Sequence, residues 1–370
     1  MASISRYEGG RWRARYRTPD GKSRSRVFDR KLDAQRWLAE VEHRKLSGGY
    51  VDPSAGKITF RSYAVDWAAR QVWRASTASA TAVALARAYP VIGDRPIASL
   101  RTSDLQALVR KLTDDKKAPA TVRATYRAVS AVLRAAVADR VLASSPAVGV
   151  RLPKIDRPKV QPLEVDQVHA LAAGMPKRAA AAVTFAAGSG LRMGEVLGLT
   201  VDRVDFLRRT VTVDRQLVTP AGSGVPTFGP PKTAASVRTV PLAQVTLDGL
   251  AAHLARWPAG PAGLVFTSPE RKPWRRQKFG GLVRVARAKA KLPESVTFHD
   301  LRHHFASVLI ADGCSIKAVQ EALGHANASE TLDTYSHLWP ADEDRIREAI
   351  EAAHGTPRVT LVSRAEGTTP

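Results

Sequence analysis

A single cysteine, Cys314, stands in 370 residues, so no intrachain disulfide can form and a reducing compartment is expected. No cysteines and histidines cluster at the spacing of a zinc site, and no metal or other cofactor is expected. No apolar run approaches the roughly 20 residues that span a bilayer, which argues against a membrane partner. The start, Met1-Ala2-Ser3-Ile4-Ser5-Arg6, lacks the apolar core of a secretion signal, so a cytoplasmic protein is expected. No internal repeat is visible. Acidic residues are the last shortage: 34 Asp and Glu face 57 Lys and Arg, a formal net charge of +23. Such an excess implies a polyanionic partner, and nucleic acid is the class that fits. The length allows two or three domains, each able to bury a core.

Hydrophobic periodicity divides the chain. In residues 1–50, Arg11, Arg13, Arg15 and Arg17 interleave with Trp12, Ala14 and Tyr16, so a strand would show arginines on one face and an apolar surface on the other. Pro19-Asp20-Gly21-Lys22 reads as a turn, and Arg24 and Arg26 continue a second strand toward Val27 and Phe28. Asp29 is placed to cap a helix through Leu32, Trp37, Leu38 and Val41 that ends at Gly48-Gly49. Residues 58–151 carry helical spacing throughout. One helix opens at Thr102-Ser103-Asp104, and a long one has Pro119 in its first turn. Residues 152–162 hold Pro153, Pro158 and Pro162 among Lys154, Arg157 and Lys159, the composition of a basic linker. Residues 163–355 are mostly helical, with strand-like alternation at 204–206, 210–213 and 236–242, and residues 356–370 form a tail. The fold class is multidomain and mainly α. It comprises a small strands-plus-helix domain, a helical bundle, and an α-rich domain with a small antiparallel sheet.

The chemistry concentrates near the C-terminal end. In Thr297-Phe298-His299-Asp300-Leu301-Arg302-His303-His304-Phe305-Ala306, His299 and Arg302 lie three apart and would share a helix face. A guanidinium can fork onto two phosphate oxygens while an imidazole moves a proton. Leu323-Gly324-His325 follows, and ten residues later Tyr335 offers a covalent nucleophile. Upstream, Arg192 follows a glycine turn in Gly190-Leu191-Arg192-Met193-Gly194-Glu195. Lys232 sits in Gly229-Pro230-Pro231-Lys232-Thr233, ahead of Ser236-Val237-Arg238-Thr239-Val240-Pro241-Leu242.

In that order, Arg192, Lys232, His299, Arg302, His325 and Tyr335 resemble the six-residue site of the tyrosine recombinase, or phage integrase, family. The likeness is strongest from Leu163 to His354 and architectural elsewhere. His304 departs from it where threonine is common, as do Ala328 and Glu330 before the tyrosine. The resemblance implies a site-specific recombinase that cuts DNA through a 3′-phosphotyrosyl link and integrates or excises a phage or mobile element. Tyr335 would attack and His299 would take its proton. Arg192 and Arg302 would neutralise the phosphate, His325 would hydrogen-bond it, Lys232 would protonate the leaving 5′-oxygen, and Glu195 would orient the site. It further implies an arm-type DNA-binding domain at 1–50, using Arg11, Arg13, Arg15, Arg17, Arg24 and Arg26. A core-binding domain at 58–151 and a catalytic domain at 163–355 would follow. Its expected partners are double-stranded attachment sites, three further copies in a tetramer, a host DNA-bending protein and an excision factor, in a bacterial cytoplasm at the nucleoid. A type IB-like topoisomerase shares the chemistry, and a catalytically dead DNA-binding regulator would share the binding.

Overall fold

Strict alternation at the head of the chain builds strands β1 (Ser3–Arg6), β2 (Trp12–Arg17) and β3 (Ser23–Phe28), which form an antiparallel sheet in that order. The computed structural model describes residues 2–18, 21–47, 50–52, 54–156, 159–219, 224–231, 233–339 and 343–354. Pro19-Asp20, Gly48-Gly49, linker residues 157 and 158, Lys232 and the tail 356–370 lie outside the described residues. The chain divides into two compact units, Met1–Arg157 and Pro158–Pro370.

In the first unit, Ala14 and Tyr16 on β2 are buried against Ala34, Leu38 and Val41 of helix α1 (Lys31–Leu46). The cap of α1 is Arg30, without a side-chain bond, so Asp29 stands one residue too early to cap it. The β2–β3 register also changes the reading of the arginines. Ala14 pairs with Arg26 and Tyr16 with Arg24, while Arg13, Arg15 and Arg17 pair with Val27, Ser25 and Ser23. Directly paired residues share a face. Arg24 and Arg26 therefore lie on the opposite face from the Arg13-Arg15-Arg17 row. Arg24 is further held by Asp52 at 2.9 Å and by Ser54.

Helices α2 (Phe60–Ala69), α3 (Ala75–Ala88), α4 (Thr102–Asp114) and α5 (Pro119–Ala138) follow in the same unit. Pro119 takes the first helical position, where a missing N–H costs nothing. On α4, Asp104 accepts the Arg101 amide at 2.8 Å. Phe60, Leu85, Leu105, Leu108, Val129 and Leu133 are among the residues of their common core. Each such side chain contributes about 1.5–3 kcal/mol of transfer free energy.

The second unit opens with α6 (Val165–Gly174), α7 (Lys177–Ser189) and the single turn α8 (Met193–Leu197). Strands β4 (Val204–Asp205), β5 (Thr210–Val213), β6 (Gln216–Val218), β7 (Thr227–Gly229) and β8 (Arg238–Pro241) come next. They make an antiparallel β4-β5-β8 sheet and a β6-β7 ribbon. The ribbon was not expected from the sequence, because three-residue strands carry no usable alternation. Helices α9 (Gln244–Arg256), α10 (Arg276–Lys289), α11 (Asp300–Ala311), α12 (Ile316–Leu323), α13 (Ala328–Tyr335) and α14 (Glu343–His354) complete the unit. The main core joins Leu171, Phe185, Val196, Val240, Phe266, Phe279 and Leu301. A smaller cluster of Ala306, Ile310, Val319, Leu323 and Tyr335 binds α11, α12 and α13 together. Among the described residues, no helix is long and apolar enough to cross a membrane.

Candidate active site

Two helices end on glycines whose left-handed backbone aims carbonyls at one arginine. Gly190 closes α7 at φ 64° and Gly324 closes α12 at φ 65°. Glycine adopts this conformation without the clash a Cβ brings. At Gly190 a Cβ would also lie 2.4 Å from the Phe305 ring. Arg302, on α11 and only 2% exposed, donates to the Gly190 carbonyl at 2.9 Å and the Leu323 carbonyl at 2.5 Å. Helix C-termini carry partial negative charge, so both anchors favour the buried cation. Burial, with the Arg192 and Arg238 charges beside it, still pushes this guanidinium down from its ordinary value.

Arg192 caps α8 and is fixed by Glu195 one turn later. The Glu195 carboxylate accepts the Arg192 amide at 2.9 Å and its guanidinium at 3.1 Å. Its Oε2 also accepts Arg238 of β8 at 3.0 Å, and both Glu195 and Arg238 are buried. Burial opposes ionisation of Glu195, but the Arg238 charge and hydrogen bond outweigh it and hold the carboxyl below its usual range. Arg238 donates onward to the Ala322 carbonyl at 2.8 Å, tying β8 to the end of α12. Sequence reasoning assigned Arg238 no role. Its signal was its phase: Arg238 and Val240 alternate onto one face of β8, and Val240 is fully buried. An arginine in such a row calls for a buried carboxylate.

Histidines line the rest. His299 is the N-cap residue of α11 and His303 stands one turn into it, with ring centroids 4.8 Å apart. Burial and the neighbouring His303 and Arg302 lower His299 to about 4, and burial lowers His303 as well. His325, just past α12, bonds Thr331 of α13 at 2.8 Å, and burial beside Arg302 and Arg192 lowers it to about 3. All three imidazoles are therefore neutral at pH 7. Tyr335, at the end of α13, is 1% exposed, and burial raises its hydroxyl to about 12 despite nearby Arg302. The expected partner of that hydroxyl was His299. Its hydrogen bond runs instead to His303 Nδ1, at 2.7 Å. Two further histidines fasten the start of the unit: His304 Nδ1 donates to the Leu163 carbonyl at 2.6 Å and His337 Nε2 to that of Val160 at 2.8 Å.

Arg192, Glu195, Arg302, His325 and Tyr335 thus belong to one interacting group with His299, His303 and Arg238, while Lys232 lies outside the described residues. The group holds three guanidinium groups, one buried carboxylate and neutral imidazoles, with the less buried Asp300 and Glu330 carboxylates at its edge. Among the described residues, no three His, Cys, Asp or Glu side chains converge as a metal site.

Three family models match successive stretches of the chain: the phage integrase N-terminal domain over residues 2–48, the phage integrase central domain over 60–152, and the phage integrase family over 161–341. The chain belongs to the phage integrase family. Within that family it is 26% identical over 352 residues to a prophage phiRv2 integrase of Mycobacterium tuberculosis, covering 90% of both chains. It is 29% identical over 276 residues to the tyrosine recombinase XerC of Mesorhizobium japonicum, covering 72% of this chain and 81% of that one. Its fold also matches that of the Tn1549 transposon integrase solved in complex with transposon right end DNA. That match has a TM-score of 0.68 and 24% identity, over 80% of this chain and 99% of the other.

Proposed function

We propose that this integrase-family chain is a site-specific DNA recombinase of the tyrosine type, which integrates or excises a phage or mobile element. The observation that carries the reading is the grouping of the Arg192 and Arg302 guanidinium groups with a buried tyrosine hydroxyl. Arg192 and Arg302 would hold the non-bridging oxygens of a phosphodiester and neutralise the charge that builds in the transition state. His299 and His325, both neutral, would hydrogen-bond the same phosphate. Tyr335 would attack, leaving a 3′-phosphotyrosyl link and a free 5′-hydroxyl. The link conserves the bond energy, so rejoining needs no ATP, and the arginines supply charge neutralisation without a cofactor.

Lys232 is the proposed general acid for the 5′-oxygen. Lys232→Ala should slow cleavage by about 10²–10⁴-fold, the usual contribution of such a group. A 5′-bridging sulfur, which leaves without protonation, should restore most of the rate. Equal slowing on both substrates would assign Lys232 to phosphate binding instead.

Exchange between two duplexes cuts four strands, and each chain offers one Tyr335, so the active form is proposed to be a tetramer. Residues 1–50 would bind arm sites, 58–151 would clasp the core site and 163–355 would carry the chemistry, joined by the linker 152–162. A host DNA-bending protein and an excision factor would assist in the bacterial cytoplasm. The arm face is proposed to be the row Arg13, Arg15 and Arg17, with Arg11 beside it. Alanine substitution in this row should reduce the salt slope of arm-site binding by about 0.9 for each phosphate left without its arginine. Arg24→Ala, on the other face, should leave the slope unchanged; equal effects would dissolve the distinction between the faces.

Supercoiled plasmid with and without a pair of attachment sites tests the reading as a whole. Recombination that requires the sites supports it. Relaxation without them would favour a topoisomerase, and binding without covalent capture a regulator.

A further inference from the structure

The hydroxyl of Tyr335 has a hydrogen-bond partner that the six-residue pattern does not contain. His303 follows Arg302 directly, one helical turn after His299, and its Nδ1 lies 2.7 Å from that oxygen. The two rings meet edge to face with centroids 5.5 Å apart. We propose that His303 is the base that takes the phenolic proton of Tyr335, leaving His299 to the phosphate. The inference rests on the reading of Tyr335 as the nucleophile.

The surroundings suit the task. A neutral imidazole carrying its proton on Nε2 presents a lone pair at Nδ1. The charged and titratable groups around His303 are His299, Asp300 and Arg302 on its own segment and Tyr335 from α13. Asp300 favours the imidazolium, whereas burial and Arg302 oppose it. His303 is therefore free to accept at neutral pH and ready to give the proton back.

The step balances. The Tyr335 O–H bond breaks as the Nδ1–H bond of an imidazolium forms. The phenolate oxygen then bonds to phosphorus, the P–O5′ bond breaks, and the departing oxygen is protonated by the general acid proposed above. On rejoining, an incoming 5′-hydroxyl gives its proton back to that now deprotonated general acid as its oxygen bonds to phosphorus, the P–O bond to Tyr335 breaks, and His303 returns its proton to the phenolate. Because the same nitrogen serves both directions, removing it should slow cleavage and rejoining together.

The test is single-turnover cleavage of a nicked suicide duplex carrying the element's core site, at saturating full-length protein. His303→Asn places an amide oxygen near Nδ1, so it can hold the hydroxyl but cannot take its proton. It is expected to cleave about 10²–10⁴-fold more slowly. Its rate should rise with pH beyond neutrality, as hydroxide replaces the missing base, where the wild type levels off. Imidazole in solution should restore part of the rate of His303→Ala and do nothing for His299→Ala. Cleavage by His303→Asn at the wild-type rate would overturn the proposal. So would a slow His303→Ala that ignores imidazole, which marks a purely structural residue. Mass mapping of the wild-type adduct separates the two layers. An adduct on a peptide lacking Tyr335 sinks the nucleophile assignment, whereas an adduct on Tyr335 with an indifferent His303→Asn sinks only the base.

Discussion

Tyr335→Phe is expected to abolish covalent capture of DNA while leaving DNA binding and the fold nearly unchanged. The substitution removes one oxygen from a ring packed against Ala306, Ile310, Val319 and Leu323, and a phenyl ring fills the same space. The fold loses one neutral hydrogen bond, to His303, with a net contribution of about 0.5–1.5 kcal/mol. Phosphate binding is proposed to belong to Arg192 and Arg302, and neither donates to Tyr335. The chemistry, by contrast, loses its attacking atom, and no neighbouring group replaces it at that position. A suicide substrate resolved on a denaturing gel should show a protein–DNA band with the wild type and none with the variant, at matched occupancy in a mobility shift. A band of wild-type intensity from Tyr335→Phe would remove this residue from the reaction.

Glu195→Ala is expected to be the most destabilising change of charge in the second unit. The carboxylate is 4% exposed and holds two guanidinium groups and an amide. Without it Arg238 stays buried with only the Ala322 and Ser236 carbonyls as acceptors. Breaking a buried pair by removing one partner costs about 3–5 kcal/mol, because the remaining charge is uncompensated. Glu195→Gln keeps one acceptor oxygen, able to take the Arg192 amide and one arginine, so it should fall between wild type and alanine in urea denaturation. Its pH dependence has a definite sign. The folded carboxyl titrates below its unfolded value, near 4.3 for a free glutamate. Its stabilisation is therefore complete above that value and lost as pH falls through the lower, folded one. The gap between wild type and Glu195→Gln should be constant at neutral pH and close on acidification. A gap unchanged down to pH 3 would show that the charge of Glu195 is immaterial.

Much of this molecule was legible because its information is local. Helix periods, Pro119 at a helix start and the glycines after α7 and α12 act within a few residues of where they stand, so the mainly α class could be read directly. The Arg302 and Tyr335 words could be found for the same reason. What escaped depends on register and on long-range pairing. Arg24 and Arg26 look like an extension of the basic row, but a strand alone does not say which phase meets its neighbour. Pairing Tyr16 with Arg24 sends them to the other face. Arg238 looked like part of a hairpin pattern, and its role rests on a carboxylate 43 residues away. His303 and Tyr335 lie 32 residues apart and meet only because α11 and α13 pack through one small cluster.

That cluster also receives the side chain of Val160, whose carbonyl is held by His337, while the Leu163 carbonyl is held by His304. One knot sits two residues beyond Tyr335 and the other one residue beyond His303, so the incoming backbone is moored on both sides of the same hydroxyl. Both imidazoles act as donors to these carbonyls. The path by which the polypeptide enters this unit is thereby tied to the two helical segments that carry His303 and Tyr335.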